Sequence, residues 1–325
     1  MKSEINKYIP TRAEISAMKA VIKLQGSSIN ELGSFIEKSQ EWTSQVVSKL
    51  ESKGFVTTNR KGMTKIVVPS STGFATSLSE LVQSEPFVPW ENLLSGSRLA
   101  ILLAATTGEK NFVSDLNRTT SWRAKKELRM HGISPRMITN KEMTDQKVVK
   151  FVREYAEHIG VQFIHGSLPR DAIILWKSWF ECIFKYPLGE NKNFPKEINN
   201  IQPTAFTAFP RYGLQFLTNE AFYYFSSSEN KLTKNDIVLH TLLVDPGNVT
   251  NVTYAVLFIL KNYRKSEMRQ LKVDALKYQL EGLVDQIITY IRSSGNVRTS
   301  YFPKWDEMSE IAREYRIEVQ MWTQP

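Results

Sequence analysis

Between residues 11 and 68 the spacing of apolar positions changes character. Ile15, Met18, Val21 and Ile22 recur three and four apart, which predicts a helix over residues 11–25. Residues 30–36 carry a short helical pattern. After a break, residues 40–52 carry a longer one, with Val46, Val47 and Leu50 on one face and Gln40, Glu41, Ser44, Gln45, Ser48 and Lys49 on the other. Ser39 stands where a hydroxyl can cap that helix, and Gly54 where a positive φ can end it. The period then drops to that of strands over residues 55–58 and 65–68. NRKG, residues 59–62, supplies the turn and puts two cations at its tip.

Helix, helix, turn, helix and basic hairpin form a winged helix-turn-helix pattern, which holds its second helix in the DNA major groove. Residues 39–56, SQEWTSQVVSKLESKGFV, followed by a basic hairpin, resemble the recognition helix and wing of MarR-type regulators. Ser44-Gln45 stands where that family often has Ser-Arg, so the guanine contact an arginine makes is given up at Gln45. The resemblance implies a double-stranded DNA-binding transcriptional regulator. Its candidate contacts are Gln40, Glu41, Ser44 and Gln45 toward the bases, Lys49, Arg60, Lys61 and Lys65 toward phosphate or the minor groove, and Ser39 and Thr43 beside them.

The pattern then partly repeats. Residues 74–84 read as an apolar-faced helix, open to two uses, dimerisation or packing on the domain's own back. Pro86 and Pro89 mark a boundary, after which residues 98–105, 112–116 and 119–131 read as helices. Trp42–Gly54 aligns without gaps on Thr120–Gly132, matching Leu50 to Leu128, Gly54 to Gly132 and Phe55 to Ile133. This suggests a second helix-turn-helix, with no evident wing in residues 134–141. Arg118, Arg123, Lys125, Lys126 and Arg129 crowd its last helix, read either as a solvated face or as phosphate contacts.

An amphipathic helix over residues 144–159 is expected to close this second unit. Aromatic runs at 172–179, 181–186, 205–209 and 222–225 predict short strands. Helices are predicted at 234–244, 252–262, 268–279, 281–293 and 304–316. The expected class is α+β, mainly α. Its parts are a winged helix over 1–85, a second, shorter winged-helix-like unit over 86–160, a small α+β domain over 161–232, and a C-terminal helical bundle over 233–325. With LLSGSRLAILLA (residues 93–104) and EIAREYRI (residues 310–317), this architecture is similar to multidomain archaeal winged-helix regulators.

A net charge of +9 favours an anionic partner. No apolar run reaches transmembrane length, and the first residues lack a signal peptide's apolar core, so a cytoplasmic DNA partner and no membrane are expected. One cysteine, Cys182, excludes an intrachain disulfide, and four scattered histidines lack metal-ligand spacing; no metal or cofactor is expected. His165-Gly-Ser-Leu-Pro-Arg-Asp171 is the nearest approach to a nucleotidyltransferase motif. Asp171 lacks the acidic partner two residues on, so no catalytic residue is assigned. His240 lies among leucines and reads as a packed, hydrogen-bonded residue. A homodimer, and an antitoxin-like or scaffold role with the C-terminal half holding a protein partner, are the other expectations carried forward.

Overall fold

Three helix starts are fixed by the same device. Thr11, Ser28 and Thr233 each accept from the backbone N–H three residues on, while Glu14, Glu31 and Asp236 reach back to the cap. Two otherwise unpaired donors are satisfied at each start, so these helices begin where the local sequence dictates. The computed structural model describes residues 5–134, 147–187, 200–228, 231–297 and 301–319. It is mainly helical with two small antiparallel sheets, an α+β chain that is mainly α. It divides into two compact units, Met1–Phe163 and Ile164–Pro325.

The first unit opens with α1 (Arg12–Leu24), β1 (Ser27–Ser28), α2 (Ile29–Phe35), α3 (Gln40–Ser52), β2 (Val56–Lys61) and β3 (Thr64–Pro69). The strands form one antiparallel sheet in the order β1-β3-β2, with Thr58 opposite Val67 and Arg60 opposite Lys65. The turn between β2 and β3 is Gly62-Met63, with Gly62 at φ +64°. Arg60 and Lys61 therefore lie in the strand and not at the tip that residues 59–62 had predicted. Glu14, almost fully buried, binds Lys53 Nζ at 2.6 Å, and Lys53 also donates to the Ile9 carbonyl. This pair ties the end of α3 to the start of α1.

Next come α4 (Gly73–Ser84), α5 (Trp90–Leu93), α6 (Gly96–Thr107), α7 (Arg118–Met130) and α8 (Lys147–Ser167). Residues 134–141, where no wing was expected, fall largely outside the described residues. The amphipathic helix predicted at 144–159 runs on to Ser167 and packs on the first helix set. Tyr155 of α8 packs 4.9 Å from each of the Phe55 and Phe74 rings and stacks on Phe151, and its hydroxyl donates to the Tyr8 carbonyl. Glu154 accepts from Ser77, and Lys150 meets Glu80. So α8 closes the back of the first helix set, against α4 and the strand-leading Phe55.

Gly54 ends α3 at φ +77°, with the Phe55 N–H returning to the Leu50 carbonyl. A Cβ there would meet His158 Nε2 at 2.9 Å and Phe74 at 3.3 Å. Gly132, at φ +72°, ends α7 in the same way, and a Cβ there would meet nothing. Gly132→Ala is expected to cost about 1 kcal/mol for the left-handed backbone alone, and Gly54→Ala about 2 kcal/mol or more because it adds the clash. Urea unfolding of the two variants compares them; equal losses would mean that His158 yields without cost.

The second unit is built on an antiparallel sheet, β4 (Ile173–Ser178), β5 (Glu181–Pro187), β6 (Ile201–Pro203) and β7 (Glu220–Ser226), in the order β4-β5-β7-β6. Residues 205–209 are corrected from strand to helix: α9 spans Ala205–Ala208 and continues as a 3-10 turn through Phe209–Tyr212. Five helices follow, α10 (Lys234–Val244), α11 (Val249–Asn262), α12 (Met268–Ala275), α13 (Glu281–Arg292) and α14 (Trp305–Glu314). Sheet and helices share one hydrophobic cluster in which Ile183, Phe222 and Tyr224 pack with Leu239, Phe258, Ile287 and Met308. Helix α10 is buried on nearly every side, as a core helix should be. No helix among the described residues is long and apolar enough to cross a membrane.

Candidate nucleic-acid interface

Helix α3 is thirteen residues long and capped by Ser39, whose hydroxyl accepts from the Trp42 N–H at 3.3 Å. Val46, Val47 and Leu50 are buried; Gln40, Glu41, Ser44, Gln45, Ser48 and Lys49 are exposed along the opposite face. Thr43 is corrected. It is fully buried, its hydroxyl donates to the Ser39 carbonyl at 2.8 Å, and it sits where a Cβ on Gly33 would touch it at 3.1 Å. It seals α2 against α3 and reaches no ligand.

The hairpin is joined to this helix. Glu51 of α3 accepts from the Thr58 hydroxyl and lies 3.5 Å from Lys65. The Thr58 hydrogen bond, reinforced by Lys65, holds the Glu51 carboxyl below the usual carboxylate range. Side chains alternate across a strand, so Arg60 and Lys65, direct cross-strand partners, share the face of Thr58 and Val67 that looks toward α3. Two cations opposite one another repel, and an anion between them relieves that. The Lys65–Glu51 pair is about half exposed and contributes little, so Lys65 can exchange it for a phosphate. Lys61 lies one residue on, on the other face, exposed.

Helix α7 matches α3 in length, capping, helix end and two core positions at a constant offset, while exposed Lys125 stands where α3 buries Val47. It too has thirteen residues, and Asn117 caps it by accepting from the Thr120 N–H at 2.7 Å, as Ser39 does for α3. Ala124 and Leu128 are buried where α3 has Val46 and Leu50, and the Ile133 N–H returns to the Leu128 carbonyl as Phe55 does to Leu50. Arg118, Arg123, Lys125, Lys126 and Arg129 are all exposed. The single acid of the helix, Glu127, is taken by Arg98 of α6, whose Nε donates at 2.7 Å. The segment matching α2 is reduced to a 3-10 turn at Lys110–Phe112.

Three exposed apolar residues of these cationic segments were not predicted, one of them Met130 at the end of α7. Met63 projects fully from the hairpin tip, and Trp122 is 61% exposed on α7 with Lys126 Nζ 5.2 Å from its ring. The available signal was a large apolar residue inside a run of cations. By contrast, Gly166 and Ser167 lie in the last turn of α8 and not in a phosphate-cradling loop. Among the described residues no group of three or more His, Cys, Asp and Glu side chains could hold a metal ion. Burial pushes the Cys182 thiol up to about 12, which keeps it protonated and unreactive.

A family model described as HVO_2833_C, C-terminal, matches residues 199–317, which run from β6 through α14 of the second unit. No curated protein and no solved structure matches the chain.

Proposed function

We propose that this chain is a sequence-specific double-stranded DNA-binding transcriptional regulator of the cytoplasm, not an enzyme, whose residues 1–85 act as a MarR-like winged helix. The observation that carries this reading is the shared face of α3 and the hairpin. Amide and hydroxyl side chains at Gln40, Ser44 and Gln45 suit base edges, while Lys49, Arg60 and Lys65 flank them as phosphate ligands. Lys61, in β2 just before the turn, adds a further cation for phosphate or the minor groove, and Met63 at the tip an apolar wedge. Glu41, exposed at the first turn, suits a cytosine amino group.

Arg60→Ala with Lys61→Ala tests this directly. Each lost phosphate contact lowers the dependence of log K on log salt by about 0.9, so the double variant is expected to weaken all duplexes alike and to flatten the slope by about two. Unchanged affinity and slope would remove the hairpin from the interface.

A second reading keeps the C-terminal half as a protein-binding module, antitoxin-like or scaffolding. What favours it is that the second unit leaves two large apolar side chains, Val273 and Leu276, exposed three residues apart. A stoichiometric partner recovered on the full chain and lost on changing exposed Val273 of α12 and exposed Leu276 of the 3-10 turn after it would support it.

A further inference from the structure

The positional match of α7 to α3 makes the differences on their outer faces informative. Trp122 of α7 stands where α3 carries Ser44, Arg123 where it carries Gln45, and Lys126 where it carries Ser48. A small hydroxyl at the centre of a helix face can approach base edges in a major groove. An indole there holds the helix axis away from those edges and offers only one hydrogen-bond donor. Its large asset is its π-face, whose natural partner is the π-face of a nucleobase, and in a duplex that face is hidden in the stack. Trp122 is nevertheless exposed, and it is ringed at helical spacing by Arg118 four residues before, Lys125 and Lys126 three and four after, and Arg129 seven after.

We infer that α7 is a single-strand nucleic-acid site, in which Trp122 stacks on an unpaired base while Arg118, Lys125, Lys126 and Arg129 hold the flanking phosphates. This deepens the proposed function and rests on its reading of the first unit as nucleic-acid binding. Strand separation near a regulated site exposes the ligand that α7 takes. The charge pattern favours a polynucleotide over an anionic membrane. An interfacial helix needs a broad apolar face, whereas the apolar side of α7, Ala124 and Leu128, is already buried, which leaves only Trp122 and Met130 outside. With Glu127 engaged by Arg98, the outer face carries cations alone. Stacking on aromatics with phosphates in a cationic track is how sequence-tolerant single-strand grips work.

The test is a fluorescence-anisotropy titration of the full chain with labelled oligothymidylate and oligouridylate of about 20 nucleotides, and with random duplex. Trp122→Ala is expected to lose about 5- to 150-fold in affinity for either single strand, the range for one base–aromatic stack, while Trp122→Phe stays near wild type and duplex binding is unchanged. Since Trp122 is exposed, the variants keep the fold, checked by circular dichroism. Arg60→Ala with Lys61→Ala should do the opposite, weakening duplex and sparing single strands. Equal single-strand affinity for wild type and Trp122→Ala overturns the inference. So does binding of α7 only to phosphatidylglycerol vesicles. If single strands bind through Trp122 and no duplex binds, the inference stands and the duplex-regulator reading falls.

Discussion

Tyr155→Ala is expected to destabilise the first unit by about 3–5 kcal/mol, a large share of the about 5–15 kcal/mol that holds a typical domain together. The ring is fully buried, and it contacts Phe55 and Phe74, each 4.9 Å away, while stacking on Phe151. Its removal leaves a cavity at the one place where α8 meets the residue that follows Gly54. It also strands the Tyr8 carbonyl, which loses its hydrogen bond. Phe55 fixes how the hairpin leaves α3, so duplex binding should fail with the fold. Tyr155→Phe keeps the ring and removes only the hydroxyl, and should cost about 1 kcal/mol. Urea unfolding of both variants checks the account; comparable losses would place the stability in the hydroxyl and not in the ring cluster.

The second large effect is acid sensitivity of the second unit through His240. This imidazole is completely buried beneath Tyr224, with Nδ1 2.7 Å from the Thr204 hydroxyl and Nε2 2.8 Å from the Tyr278 hydroxyl. Tyr278 lies 3.3 Å from an Asp236 carboxylate oxygen, so one chain satisfies all groups: Thr204 donates to Nδ1, Nε2–H donates to Tyr278, and Tyr278 donates to Asp236. That chain needs a neutral ring. Burial, and then the charge of Lys277, push the imidazole down to about 3. Above the ordinary histidine value of about 6.5 the ring is neutral in folded and unfolded chains alike, and its stabilising effect is fully present. As pH falls through that value the unfolded chain takes up a proton that the folded chain refuses, so stability declines down to the folded value. Near pH 5 the loss is about 2 kcal/mol, or about 4–8 °C in Tm. His240→Gln should abolish that portion of the pH dependence between about pH 7 and 5 while lowering Tm at pH 7. A variant that keeps the full acid dependence would assign it to carboxylates instead.

Much of the fold was legible because its signals are local. Capping residues, Gly54 and Gly132, and the three-four spacing of Val46, Val47 and Leu50 each act within one or two turns. The gapless match of residues 42–54 to 120–132 accordingly survives as matched caps, cores and helix ends. Thr43 was misplaced although its spacing was informative: it sits three, four and seven residues before Val46, Val47 and Leu50, on their face, and only its polarity suggested otherwise. Residues 205–209 misled because aromatic runs read as strands, whereas Thr204 and Phe206 begin a helical turn that packs a ring on Phe216. What could not be read was tertiary. Which helix set α8 closes depends on Tyr155 meeting Phe55 a hundred residues away, and the Glu14–Lys53 pair also joins distant positions. The exposure of Met63 and Trp122 likewise depends on how their neighbours pack, which spacing alone does not give.

The most direct test of the central claim is a selection from a random duplex pool, followed by anisotropy titration of the enriched and random duplexes at about 50 and 200 mM salt. Salt-sensitive binding, with the enriched duplex held at least about 1000-fold more tightly than the random one, is the expected result, and a two-fold symmetric motif would add a homodimer. Absence of duplex binding at the lower salt, in a chain of net charge +9, would contradict the account and make the exposed face of α3 a protein-docking surface.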